Sequence, residues 1–162
     1  MALIASDRRR LQRGQTASEA AKMLERMPGV YYAEVYSHVR RAGWFMSTAT
    51  ATVAITMSDG YRVARPAELL NLAVRTAWSM NERKINGSVF VGVYGTDGLP
   101  ANWDREQALE DNLLGLAGGR IGANGEIQFT NAHMRHWFGG WPADVPEPED
   151  GIFAIERRKA RL

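Results

Sequence analysis

The sequence predicts an α+β domain in which an antiparallel sheet carries helices on one face, in the order α-β-β-α-β, followed by an irregular extension. Three observations predict it. Apolar residues recur at helical spacing after Thr16 and again after Pro66, and at spacing two from Val30 and from Trp44. The two period-two runs are joined only by Arg40-Arg41-Ala42-Gly43, short enough for an antiparallel hairpin. Val89-Phe90-Val91-Gly92-Val93-Tyr94 is apolar on both faces, as in a central strand.

The elements follow in chain order. Residues 1–15 form a polar arm without a sustained apolar period. Thr16-Ala17-Ser18-Glu19 has the pattern of a capping box, in which a hydroxyl and a carboxylate satisfy end amides reciprocally. Ala17, Ala20, Ala21, Leu24 and Met27 give the apolar face of that helix, and Pro28-Gly29 stops it. In the first strand Tyr31, Ala33, Val35, Ser37 and Val39 share one face, and Tyr32, Glu34, Tyr36 and His38 the other. The second, from Trp44 to Met57, places Thr48, Thr50, Thr52 and Thr56 on one face. Threonine suits a solvated sheet surface, being β-branched with a hydroxyl that can pair across strands.

Ser58-Asp59-Gly60 turns the chain, and Tyr61–Ala64 continues the strands briefly. Pro66 fits the first position of a helix, where its missing N–H costs little. Leu69, Leu70, Ala73, Val74, Ala77 and Met80 form the apolar face of that helix. A third helix is expected from Trp103 to Leu116, capped by Asn102, with Asp104 and Glu106 at the positive end of its dipole. The core domain therefore spans 16–119. Residues 120–162 read as an extension holding a short strand over Glu126–Thr130, the aromatics Trp137, Phe138 and Trp141, a proline-acidic linker, and Ile152–Ile155 before a basic tail.

Composition narrows the function classes. The chain has 162 residues, 45% of them hydrophobic and 23% charged, which suits one globular domain with extensions. It has no cysteine, so thiol catalysis, thiolate metal sites and disulfides are excluded. No apolar run approaches the ~18 residues of a membrane span, and Met1–Ala5 is too short for a signal core, so no membrane insertion and no export by a cleaved signal are expected. The net charge of +2 is uneven, with Arg8, Arg9, Arg10 and Arg13 at one end and Arg157, Arg158, Lys159 and Arg161 at the other, around an acidic body.

No residue constellation supports catalysis. The glycines between Gly115 and Gly125 follow a helix instead of preceding one, and no Gly-Lys-Ser/Thr occurs, so they read as a turn and not a phosphate loop. His133 and His136 have helical spacing, but only His38 could add a third imidazole. Ser37 and His38 are adjacent in a strand and point to opposite faces. Glu106 and Glu110 read as a solvated helix face. The expectation is no enzyme, no cofactor and no metal. Aromatics, methionine and arginine are enriched in interface cores, which points to Arg8, Arg9, Arg10, Trp137, Trp141, Arg157 and Arg158 as contact residues. The partners expected are other proteins of an assembly, in a homo-oligomer or hetero-complex, with the final forty-odd residues held by neighbouring surfaces. The alternative is a nucleic-acid-associated module gripping phosphates with its basic ends.

The arginine-rich stretch Leu3–Arg13, the small α+β body and the aromatic, proline-containing segment Trp137–Leu162 together resemble the small structural proteins of tailed phages. Those of actinobacterial hosts are most similar, among them tail-terminator, connector and minor tail proteins. The resemblance implies ring or baseplate assembly through sheet edges and swapped arms, with the chain in a virion; the location expected otherwise is cytoplasmic. It lies in overall character, so no family residue is carried onto this chain. The αββαβ order also resembles small ferredoxin-like modules of actinobacteria, which implies a ferredoxin-like arrangement and leaves a cellular role open.

Overall fold

A computed structural model describes residues 13–111 and 119–157. Thr16 caps helix α1 (Ala17–Glu25) by accepting from Glu19 N at 3.1 Å, while the carboxylate that takes the Ala17 amide comes from Glu82. Ala20 and Leu24 point α1 into the core. Gly29, at φ +93°, turns the chain into β1 (Val30–Ala42), which pairs antiparallel with β2 (Met46–Met57) as the hairpin pattern predicts. The turn expected at Arg40–Gly43 is corrected to Gly43-Trp44-Phe45, because Arg40, Arg41 and Ala42 pair with Thr48, Ser47 and Met46.

A short strand β3 (Tyr61–Val63) precedes helix α2 (Pro66–Ser79), which begins at Pro66. The chain then enters β4 (Val89–Tyr94), which lies beside β2 in parallel, Ala51 opposite Val89 through Thr56 opposite Tyr94. The expected all-antiparallel sheet is thus corrected at this pair. Periodicity reports which face a residue occupies, not strand direction, and α2 returns the chain to the end of the sheet where β2 began, which makes β4 parallel.

Helix α3 spans Arg105–Glu110 and is capped by Asp104, whose Oδ1 accepts from Gln107 N at 2.9 Å. The expected cap at Asn102 is corrected by two positions, because Trp103 is buried ahead of the helix, not within it. Residues 112–118, where the helix was expected to continue, lie outside the described residues. Strands β5 (Arg120–Ile121) and β6 (Ile127–Phe129) complete a mixed, mostly antiparallel five-stranded sheet in the order β1-β2-β4-β6-β5. That order does not bear out a ferredoxin-like arrangement; the α+β class holds.

Helix α4 (Asn131–Phe138) and strand β7 (Phe153–Ile155) follow, β7 pairing with β3 in a separate two-stranded sheet. Residues 120–157 are therefore tied to their own body. Ala143 N donates to Trp78 O, Ala64 N to Ile152 O and Glu156 N to Gly60 O, at 3.0, 2.8 and 2.7 Å. Arg65 holds the acidic linker through Asp150 O and Glu149, and Arg13 pairs with Asp144 at 2.9 Å. The expectation that foreign surfaces order this stretch is corrected for its described residues.

Strand parity divides the sheet into two chemically distinct faces. Ala33, Val35, Ala51, Val53, Ile55, Val89, Val91, Ile127 and Phe129 are buried on the side that joins the helical core. The other parity, led by Tyr32, Glu34, Tyr36 and the threonines of β2, lies on the open side, exposed or half-buried.

Candidate functional site

The β1–β2 hairpin is longer than the sheet that supports it. Its ladder runs out to Ala42 opposite Met46, whereas β4 accompanies β2 only from Ala51 to Thr56. Between these limits Asn86 braces the outer edge of β2. Its Oδ1 accepts from Ala49 N at 2.7 Å, its Nδ2 donates to Ser47 O at 3.1 Å, and its own N–H reaches Ala49 O. Gly87 follows because the hairpin passes so close: a Cβ there would lie 2.6 Å from the Thr48 methyl and 3.0 Å from Ala49 O. The root of the hairpin is thus fixed, and the part beyond Ser47 projects.

At the projecting end stand Trp44, Phe45 and Met46, with 97%, 98% and 70% of their surface exposed. Arg40 and Arg41 flank them and are exposed as well. Burying two aromatics of this size would remove about 300–500 Å² from water, an area comparable to the largest apolar patch on a typical monomer. Trp44 was legible only as the start of a strand. The missed signal is three large apolar residues in succession after Gly43, since alternation cannot send neighbours to the same core.

The open face of the sheet adjoins this hairpin. Registers align Tyr36, Thr52, Phe90, Gln128 and Arg120 in one row across all five strands. Tyr94 lies over Gly92, where an added Cβ would stand 2.7 Å from the phenol, and its hydroxyl donates to Glu126 Oε1 at 2.6 Å. Burial, followed by the hydrogen bond to and charge of Glu126, pushes the Tyr94 phenol well above its ordinary value. On exposed β1, Tyr32 donates to Glu34 at 3.0 Å, and its phenol is raised first by that bond.

A raised phenol makes stability depend on pH at the alkaline end. Above about pH 10 the unfolded chain has lost the proton that folded Tyr94 retains, so the folded state binds more protons and stability falls as pH rises. Denaturant titrations at stepwise alkaline pH are expected to show this fall, and to show it reduced in Tyr94→Phe. An equal fall in both proteins would contradict the assignment.

The residues singled out from sequence fall elsewhere. Trp137 meets Phe129 edge-on at 5.6 Å and stacks on His133 at 5.2 Å, while Trp141 Nε1 donates to Met80 O at 2.8 Å. Both rings are half-buried against their own chain, and their remaining surface lines a cleft with Arg13, Arg75 and Asp144. Arg157 is exposed just past β7. Arg8, Arg9, Arg10 and Arg158 lie outside the described residues. His133 sits at the start of α4 with Nδ1 2.9 Å from the Thr130 hydroxyl, and His136 is exposed. Among the described residues no group of three or more His, Asp or Glu side chains is placed to hold a metal ion, and no helix is long and apolar enough to cross a membrane. Comparisons of the chain with protein-family models, with curated proteins and with solved structures find no match.

Proposed function

We propose that this chain is a non-enzymatic assembly module that packs into a larger protein complex, of the kind built by tail and connector proteins of tailed phages. The hairpin tip would be its plug. One observation carries the reading: Trp44, Phe45 and Met46 stand almost wholly in water at the end of a braced hairpin. Their exposure contributes nothing to the stability of a lone chain, and covering them in a recess of a neighbouring subunit removes that apolar surface from water. Arg40 and Arg41 at the base of the tip suit an acidic rim around such a recess. Neighbouring copies of the chain are the first partners.

Light scattering of the purified protein across a concentration series tests this. The wild type is expected to exceed the mass of one chain, with growth beyond a dimer that Trp44→Ser/Phe45→Ser/Met46→Ser abolishes while leaving the unfolding free energy within about 0.5 kcal/mol of wild type. A tip-substituted protein with unchanged masses would overturn the proposal.

A further inference from the structure

We propose that β1 is a dimerisation edge, pairing antiparallel with β1 of a second copy about a two-fold axis at Ser37 and joining two five-stranded sheets into one. This deepens the assembly reading by naming a partner; it uses the edge of β1 behind the tip and shares Arg40 with it.

The direction of the main-chain groups comes first. Ala51 N donates to Ser88 O, and Ala49 O accepts from Asn86 and Gly87, so the odd-numbered residues of β2 turn their amides away from β1. Their cross-strand partners are also odd: Val35 faces Val53, Ser37 faces Ala51 and Val39 faces Ala49. In an antiparallel ladder such partners are non-hydrogen-bonded pairs whose N–H and C=O point outward. The outward groups of Ala33, Val35, Ser37, Val39 and Arg41 therefore line the edge of the sheet, and no main-chain bond reaches them among the described residues.

The edge is long and lacks the usual guards. β1 runs for 13 residues without proline, and its only register shift lies between Val30 and Tyr32. Natural sheets normally blunt such an edge by shortening, bulging or charging it. Of the charges here, Glu34, Arg40 and Arg41, self-pairing matches Glu34 with Arg40, while Arg41 stays at the exposed end of the strand.

The register follows from chemistry. Outward groups meet outward groups only when odd residues face odd residues. Of the registers that allow this, the one centred on Ser37 sets Glu34 opposite Arg40 twice, once on each side of the axis. It also sets Tyr36 opposite His38 on the open face and Val35 opposite Val39 on the helical face. About ten main-chain hydrogen bonds would form. Ala33, in the covered half of one β1, comes to lie beside Arg41, in the uncovered half of the other. The tip alone would bury less than the ~1,200 Å² of a stable interface, and a paired edge supplies a second contact.

The chain contains no cysteine, so Ser37→Cys introduces its only thiol. Cα atoms of a hydrogen-bonded antiparallel pair lie about 5.5 Å apart, within disulfide range. Mild oxidation of Ser37→Cys is expected to yield a covalent dimer, and Tyr31→Cys, far from the axis, to yield none. Sedimentation should show Glu34→Arg weakening the dimer about tenfold, Arg40→Glu doing the same, and the two together restoring it. Absence of the Ser37→Cys cross-link, or a dimer indifferent to both single substitutions, overturns the proposal. If the cross-link fails while tip-dependent growth persists, β1 pairing alone falls. If the cross-link forms and tip substitution changes no mass, the plug reading alone falls.

Discussion

Trp78→Ala is expected to destabilise the fold by about 3–5 kcal/mol, since Trp78 is the largest fully buried side chain among the described residues. Trp78 is wholly buried near the end of α2, and its main-chain oxygen accepts from Ala143 N where the C-terminal segment crosses the helix. Removing the ring leaves a large cavity in the core. The indole Nε1 is buried without a hydrogen-bond acceptor among the described residues. Trp78→Phe removes this unpaired group while keeping most of the apolar bulk, so its cost should be far smaller, about 1 kcal/mol. Urea midpoints at constant slope distinguish the two. Equal losses in both variants would mean that the site does not sense volume.

Gly29→Ala is expected to cost about 2–4 kcal/mol through two separable effects. At φ +93° an L side chain is strained in any surroundings. Here the added Cβ would also stand 2.6 Å from Phe153 Cβ and 2.6 Å from the Tyr61 ring, where β7 and β3 pack over the turn between α1 and β1. Adding Tyr61→Ala relieves only part of the collision, since Phe153 Cβ belongs to the strand itself and the backbone strain persists. Thermal unfolding of the single and double variants should therefore show incomplete recovery. Full recovery by Tyr61→Ala would contradict the account of this turn.

These two positions also show what the sequence made legible. The period of two in Val30–Met57 revealed the hairpin and its two faces because each side chain's side is set locally. The period of 3.6 after Pro66 revealed α2 and placed Leu69, Leu70, Ala73, Val74 and Ala77 inward, but it left Leu72, Thr76 and Trp78 outside the stripe. All three are buried, because α2 packs not only on the sheet but also on α3 and α4, and is crossed at Trp78 by Ala143. A single helical stripe cannot announce a second layer that arrives from sixty residues away. The parallel setting of β4 was hidden for the same reason, since it depends on where the crossover returns.

For the candidate site the outcome is reversed. Trp137 and Trp141 looked like contact residues by type, yet the folded C-terminal segment packs them against Phe129 and Met80. Trp44 carried the same chemistry and lay at a position that a strand pattern could not bury. Burial separates these tryptophans, and burial is a tertiary property. The turn Gly43-Trp44-Phe45 sets both rings where no core reaches, which is why the exposed tip, not the arms, anchors the proposed function.

The most direct test of that claim is fluorine NMR on protein labelled with 5-fluorotryptophan, whose five resonances include one assigned to Trp44 by its loss in Trp44→Phe. As concentration rises, the Trp44 signal is expected to shift and broaden while that of buried Trp78 keeps its position. A Trp44 signal unchanged across the range, in a sample that remains one chain in mass, would contradict the account.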